Sequence, residues 1–254
     1  MKKYFNLSIA ALLMLVSGCT ASHHLTSVTV EKILIDNRYD KTADAEAQAF
    51  LAPYKLRIDS LMSPVVGHTA QALVASRPES GLSNLLSDIL VWGAAKYGEQ
   101  VSFGVYNMGG IRAGFPKGAV TVGNVIDVAP FENKICFLTL TGEQVLKLFS
   151  QMAERGGEGV SAAVKMTITA NGELQEVTLH GQPINPTARY RIVTIDYLAQ
   201  GNDGLRVFKQ RFDYVAPDGD ESNARNIIMA YFKEKELQGL KVKAEVEGRV
   251  KLIE

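Results

Sequence analysis

Two cysteines, one tryptophan and four histidines in 254 residues leave little room for the chemistries that depend on those side chains. Cys19 and Cys136 are too few for a disulfide framework or a cysteine metal cage. The histidines stand at 23, 24, 68 and 180, and none falls in an H-x-H or D-x-H spacing, so no metal-ligand set is legible. Neither sign of charge is in excess, with 27 Lys plus Arg against 27 Asp plus Glu. That balance argues against a nucleic-acid groove, which needs a basic surface to release counterions. Internal repeats, low-complexity tracts and Pro/Ser-rich linkers are also missing, so the bulk of the chain reads as one domain. Long apolar runs are missing too. The one conspicuous stretch, Leu7 to Val16, is too short to span a bilayer.

That stretch follows Lys2 and Lys3 and ends in Val16-Ser17-Gly18-Cys19. It reads as a targeting segment, and small residues leading into a single cysteine resemble the lipobox of bacterial lipoproteins. The resemblance implies a signal peptide over 1–18, acylation of Cys19, a polar tether over 19–26 and a domain over 27–254. The chain would then be lipid-anchored to the bacterial cell envelope, facing the periplasm. An ordinary secretory signal with an incidental Cys19 is the alternative. With Cys19 acylated, Cys136 has no partner, and its place in Ile135-Cys136-Phe137-Leu138 suits a small buried hydrophobe.

Apolar spacing predicts helices over 44–62, 81–97 and 221–236, with Pro53 expected to kink or split the first. Thr141-Gly142-Glu143-Gln144 has capping-box spacing and opens another helix. Strands are expected over 101–106, 134–140, 190–195 and 240–253, and Asn171-Gly172 marks a hairpin between 163–169 and 174–179. Helices and strands mix without strict alternation, which favours an α+β fold over a doubly wound parallel sheet.

Three segments carry candidate chemistry. In Asn107-Met108-Gly109-Gly110-Ile111-Arg112, Gly109 and Gly110 allow close backbone approach and loop amides can form an anion nest. Arg112 adds a planar fork for phosphate or carboxylate. Taken alone, this is also a common surface turn, and Phe131 in Pro130-Phe131-Glu132-Asn133 is equally a core plug. The third segment, Tyr197 to Gly204, combines an aromatic, two glycine turns and Asp203. Two rings, an arginine loop and one carboxylate suit a nucleotide, with rings for the base, arginine for phosphate and aspartate for ribose.

These segments, with Arg77-Pro78-Glu79-Ser80 upstream and Leu140-Thr141-Gly142 between, resemble in their order the C-terminal domain of the 5'-nucleotidase family. The resemblance implies that family's four-layer α-β-β-α domain. It also implies substrate contacts at Asn107 and Arg112, a base clamp of Phe131 and Tyr197, ribose binding at Asp203, loop contacts at Gly109 and Gly110, and a phosphate contact at Arg77. The family's Gly-Gly-Asp-Gly stands here as Gly201-Asn202-Asp203-Gly204, and its Ser-Gly as Ser161-Ala162, which removes a glycine where backbone approaches ligand. Full-length members carry an N-terminal metallophosphatase domain with a two-metal centre, and its motifs do not occur in this sequence. The implied function is the nucleotide-binding half of a phosphoric ester hydrolase in nucleotide catabolism, with no cofactor or catalytic metal of its own. The divalent metals would sit on a separate metallophosphatase chain. The alternatives are a lipoprotein that binds nucleotide or nucleoside without chemistry and a structural lipoprotein that has lost the ligand.

Overall fold

The computed structural model describes residues 24–39 and 44–253. The expected signal peptide, Cys19 and the first part of the tether lie outside them. The chain divides into two units, Met1–Phe50 and Leu51–Glu254. In the first, residues 24–35 have no regular secondary structure and are exposed. Its one described turn is closed by Asp36, whose carboxylate accepts from the Arg38 amide at 3.0 Å and the Arg38 guanidinium at 2.8 Å.

In chain order the helices are α1 (Ala45–Met62), α2 (Gly81–Ala94), α3 (Val122–Val128), α4 (Gly142–Glu154), α5 (Asp196–Ala199) and α6 (Ala224–Leu237). The strands are β1 (Val65–Thr69), β2 (Phe103–Tyr106), β3 (Gly118–Thr121), β4 (Ile135–Thr141), β5 (Gly159–Val160), β6 (Val164–Thr169), β7 (Leu174–Leu179), β8 (Gln182–Pro183), β9 (Arg189–Ile195), β10 (Phe212–Val215) and β11 (Val250–Ile253). Helix α1 runs unbroken through Pro53 and buries none of its residues. Exposure is why the proline is tolerated: the backbone carbonyl that loses its donor can turn to water. The final strand is shorter than the pattern predicts, because 240–249 is irregular and only Val250–Ile253 pairs as a strand.

The centre is a five-stranded mixed sheet in the order β10-β4-β9-β2-β5. β4 and β9 are antiparallel with Ile135 opposite Ile195, while β2 and β9 are parallel with Phe103 beside Ile192. A four-stranded sheet, β11-β6-β7-β8, contains the expected hairpin, with Gly172 in the left-handed region at φ 82°. α2 packs on β2, β5, β9 and α6, and α4 touches strands of both sheets. The apolar stripes read from the sequence point into this core: Leu82, Leu86, Ile89 and Leu90 of α2, and Val145, Leu148 and Phe149 of α4, are almost wholly buried. Cys136 is fully buried, and burial pushes its thiol up to about 12, so it packs as a hydrophobe. The architecture is α+β, as the pattern implies.

The start of α4 shows how local chemistry sets an element. Thr141 caps it reciprocally, its Oγ1 accepting from the Gln144 amide at 3.3 Å while Gln144 Oε1 accepts from the Thr141 amide at 2.8 Å. Gly142 follows because the Asn185 carbonyl sits where its Cβ would be. The Leu-Thr-Gly motif is therefore a packing feature of this helix start.

Candidate functional site

The register of the central sheet decides where the three motif segments go. β2 and β9 run parallel, so the loops after Tyr106 and after Ile195 leave from the same end of the sheet. β4 runs the other way and begins at Ile135, opposite Ile195, so the turn before it arrives at that end too. Asp196 fastens the last two together, its amide donating to the Lys134 carbonyl at 2.9 Å and its Oδ1 accepting from the Lys134 amide at 3.2 Å.

The three loops enclose a cavity of about 210 Å³ lined by Asn107, Gly109, Gly110, Phe131, Asn133, Tyr197 and Asp203. Six of these are residues expected from the sequence. Phe131 is 49% exposed and Tyr197 37%, in a protein whose other phenylalanines are mostly buried. Phe131 is therefore not the core plug that its Pro-Phe context also allowed. Its turn is held from behind by α6: Glu132 pairs with Arg225 at 3.0 Å, and the Asn133 carbonyl accepts from the Ala224 amide at 2.8 Å.

Asp203 stands at the centre of the polar wall. Its backbone is left-handed at φ 51°, a conformation aspartate tolerates better than most residues, between Gly201 at 79° and Gly204 at 72°. Asn107 Nδ2 donates to its Oδ2 at 2.9 Å, and the Tyr197 hydroxyl donates to its Oδ1 at 3.1 Å. Burial and this bond to a carboxylate raise the Tyr197 pKa, so the phenol remains a donor at neutral pH. Each carboxylate oxygen keeps acceptor capacity beyond these donors. Asn107 is 3% exposed, and its Oδ1 is buried without a hydrogen-bond partner among the described residues. That oxygen lies against Gly110, where a Cβ would approach it to 2.5 Å, so the second glycine is there to let the asparagine fit.

Arg112 and Arg77 do not line this cavity. Arg112 is exposed just beyond the glycine loop, anchored by its amide to the Val128 carbonyl at 3.0 Å, and its guanidinium makes no hydrogen bond or ion pair among the described residues. Arg77 lines a separate cleft with Gly156 and Asn171, and pairs with Glu158 at 2.9 Å. Ser161, where the family has its Ser-Gly, is 3% exposed, and its Oγ accepts from the Gly104 amide at 2.9 Å, so it braces β2 instead of facing the cavity.

Three residues around the site carry no assignment from the sequence. Asn133 is visible inside the Pro-Phe-Glu-Asn turn, two residues after Phe131, but nothing local says that it faces the same space. Arg155 and Glu158 lie in Arg-Gly-Gly-Glu at the end of α4, and only the fold carries them to Asp203 and Met108. Among the described residues no three or more His, Cys, Asp or Glu side chains group as a metal site. No helix there is long and apolar enough to cross a membrane.

The family model described as "5'-nucleotidase, C-terminal domain" matches residues 65–210. The trifunctional nucleotide phosphoesterase protein YfkN of Bacillus subtilis is 30% identical over 225 residues, covering 81% of this chain and 15% of that protein. Protein UshA of Escherichia coli is 25% identical over 170 residues, 66% of this chain and 31% of its own length. Among solved structures, the 5'-nucleotidase precursor of Thermus thermophilus superposes with a TM-score of 0.70 at 27% identity, over 82% of this chain and 43% of that one. The chain thus spans less than half the length of each of these relatives.

Proposed function

The chain belongs to the 5'-nucleotidase family, through its C-terminal domain, and on that premise we propose that it is the nucleotide-binding part of a phosphoric ester hydrolase. The convergence of two half-exposed rings and a fixed carboxylate on one cavity carries this reading. Phe131 and Tyr197 stack the base from two sides, and Asp203 accepts from the ribose hydroxyls with the lone pairs that Asn107 and Tyr197 leave free. Asn133 and the Gly109–Gly110 backbone supply polar contacts to the base and sugar. Arg112, with its exposed fork beside the glycine loop, meets the phosphate, and Arg77, which lines a separate cleft, is the second phosphate contact.

A two-metal centre would supply the chemistry of ester hydrolysis. The described residues do not fit such a centre, and no hydrolytic step is assigned to them. The relatives are longer than this chain by more than half, and a metallophosphatase domain, supplied as a separate chain, fills that role in this proposal. The domain works at the cell envelope, tethered through acylated Cys19.

Calorimetric titration with adenosine tests the binding reading. Base stacking on an aromatic is worth roughly 1–3 kcal/mol, so Phe131→Ala is expected to weaken adenosine by about 5- to 150-fold and ribose phosphate little. A wild-type chain that binds neither adenosine nor AMP would remove the proposal.

A further inference from the structure

Among the described residues two carboxylates are buried almost completely, and they serve different neighbourhoods. Glu79 accepts from Asn84 Nδ2 at 2.6 Å and from the Glu247 and Val250 amides at 2.7 and 3.2 Å, all away from the cavity. Glu158, whose side chain has no solvent exposure, holds two groups that lead to the candidate site, Arg155 and the Met108 amide, together with Arg77 outside its lining. Its Oε1 accepts from Arg77 Nη2 at 2.9 Å and from Arg155 Nε at 2.7 Å, and its Oε2 accepts from the Met108 amide at 2.6 Å.

Those partners come from three separate segments: the stretch before α2, the C-cap of α4 and the glycine loop after β2. Arg155 extends the connection, because its Nη2 stands 3.9 Å from Asp203 Oδ2 and its side chain packs along Gly204, where a Cβ would meet its Cδ at 3.8 Å. Asp203 in turn takes the side-chain amide of Asn107, the residue next to Met108. The contacts form a closed ring from Glu158 through Met108 and Asn107 to Asp203 and back through Arg155.

We propose that Glu158 is the positioning residue of the nucleotide site, fixing the glycine loop through the Met108 amide and the ribose carboxylate through Arg155. The inference rests on the nucleotide reading given above. Its physical content is charge matching. Two guanidiniums share one carboxylate oxygen, and without that anion they would repel each other and leave the wall of the cavity unanchored. Burial works against the charge on Arg155, and the Glu158 and Asp203 carboxylates outweigh it and raise its pKa above the usual guanidinium value, so the arm stays cationic.

The experiment titrates the full chain with adenine, adenosine and AMP, comparing wild type, Glu158→Gln and, as the buried-carboxylate control, Glu79→Gln. Glu158→Gln is expected to weaken adenosine and AMP by roughly tenfold or more and adenine by less than about threefold, since the base meets rings that Glu158 does not hold. Glu79→Gln is expected to lower the melting temperature and leave all three affinities within about twofold. Should Glu158→Gln fail to fold, Arg155→Met removes the arm to Asp203 and its bond to Glu158 while Arg77 and the Met108 amide still hold that carboxylate, and it is expected to show the same selective loss of adenosine. An unchanged ratio of adenine to adenosine affinity in the folded variant, whether both hold or both fall together, overturns the positioning role. Absence of binding by the wild type instead overturns the nucleotide reading on which it rests.

Discussion

Individual side chains divide the site into a part that grips and a part that aligns. The Tyr197 ring belongs to the first and its hydroxyl to the second, and the two are separable. Tyr197→Phe keeps the ring and removes the donor to Asp203, so adenosine affinity is expected to fall by about two- to twelvefold while adenine is held as before. Tyr197→Ala should weaken both ligands through lost stacking, and adenosine further through the lost donor to Asp203. Arg112 answers to a different ligand group. Its exposed fork predicts that Arg112→Ala weakens AMP by at least about tenfold more than adenosine, because a charge-assisted hydrogen bond contributes roughly 1.5–3 kcal/mol. Equal losses for the two ligands in titration would take the phosphate contact away from this arginine.

Elements place these residues, and their stability is set at their ends. α4 ends at the Arg155 cap, so its start at Thr141 and Gly142 indirectly sets where the arm to Asp203 begins. Gly142→Ala forces a side chain against the Asn185 carbonyl and is expected to cost about 1–3 kcal/mol in denaturant unfolding, whereas Thr141→Ala should cost about 1 kcal/mol through the lost cap. β11 is tied to α2 by Glu79. Burial acts to raise the Glu79 pKa, but hydrogen bonds from Asn84 and from the amides of Glu247, Val250 and Arg249 outweigh it and hold it below the ordinary 4.5. A depressed carboxylate stabilises the fold above its unfolded pKa and loses that contribution as pH falls through the folded one. The wild type should therefore lose stability below about pH 4.5, and Glu79→Gln should be less stable at neutral pH with a flatter melting profile on the acid side. A parallel decline of both proteins between about pH 5 and 3 would show that Glu79 does not drive the acid loss.

For the molecule as a whole, the expected behaviour is binding without turnover. The purified chain should bind AMP yet release no phosphate with manganese, zinc, cobalt or magnesium, and release should appear when a metallophosphatase domain is added. Robust chelator-sensitive turnover by the chain alone would place a catalytic centre within it and end the two-chain proposal. The proposed anchor has its own test. Each buried acyl methylene adds about 0.8 kcal/mol of membrane affinity, so Cys19→Ser should move the protein out of the membrane fraction or leave it unprocessed.

Much of this is legible in the amino-acid order because the physics concerned is local. Period-3.6 stripes, a capping box and an Asn-Gly turn act over a few residues, and α2, α4 and the β6–β7 hairpin lie where those signals put them. The motif residues are legible for a related reason: a glycine loop, a Pro-Phe turn and a Gly-Asn-Asp-Gly turn are short chemical units whatever surrounds them. Their meeting is not. It depends on β2 running parallel to β9 and β4 antiparallel to it, a pairing between residues far apart in sequence that no local pattern encodes. The tertiary structure also decided that Phe131 faces solvent, that Arg77 bonds Glu158 outside the cavity lining, and that Arg155 reaches Asp203. In each case the deciding quantity is a distance across the fold, which a linear sequence carries only through the energy of the whole packed chain.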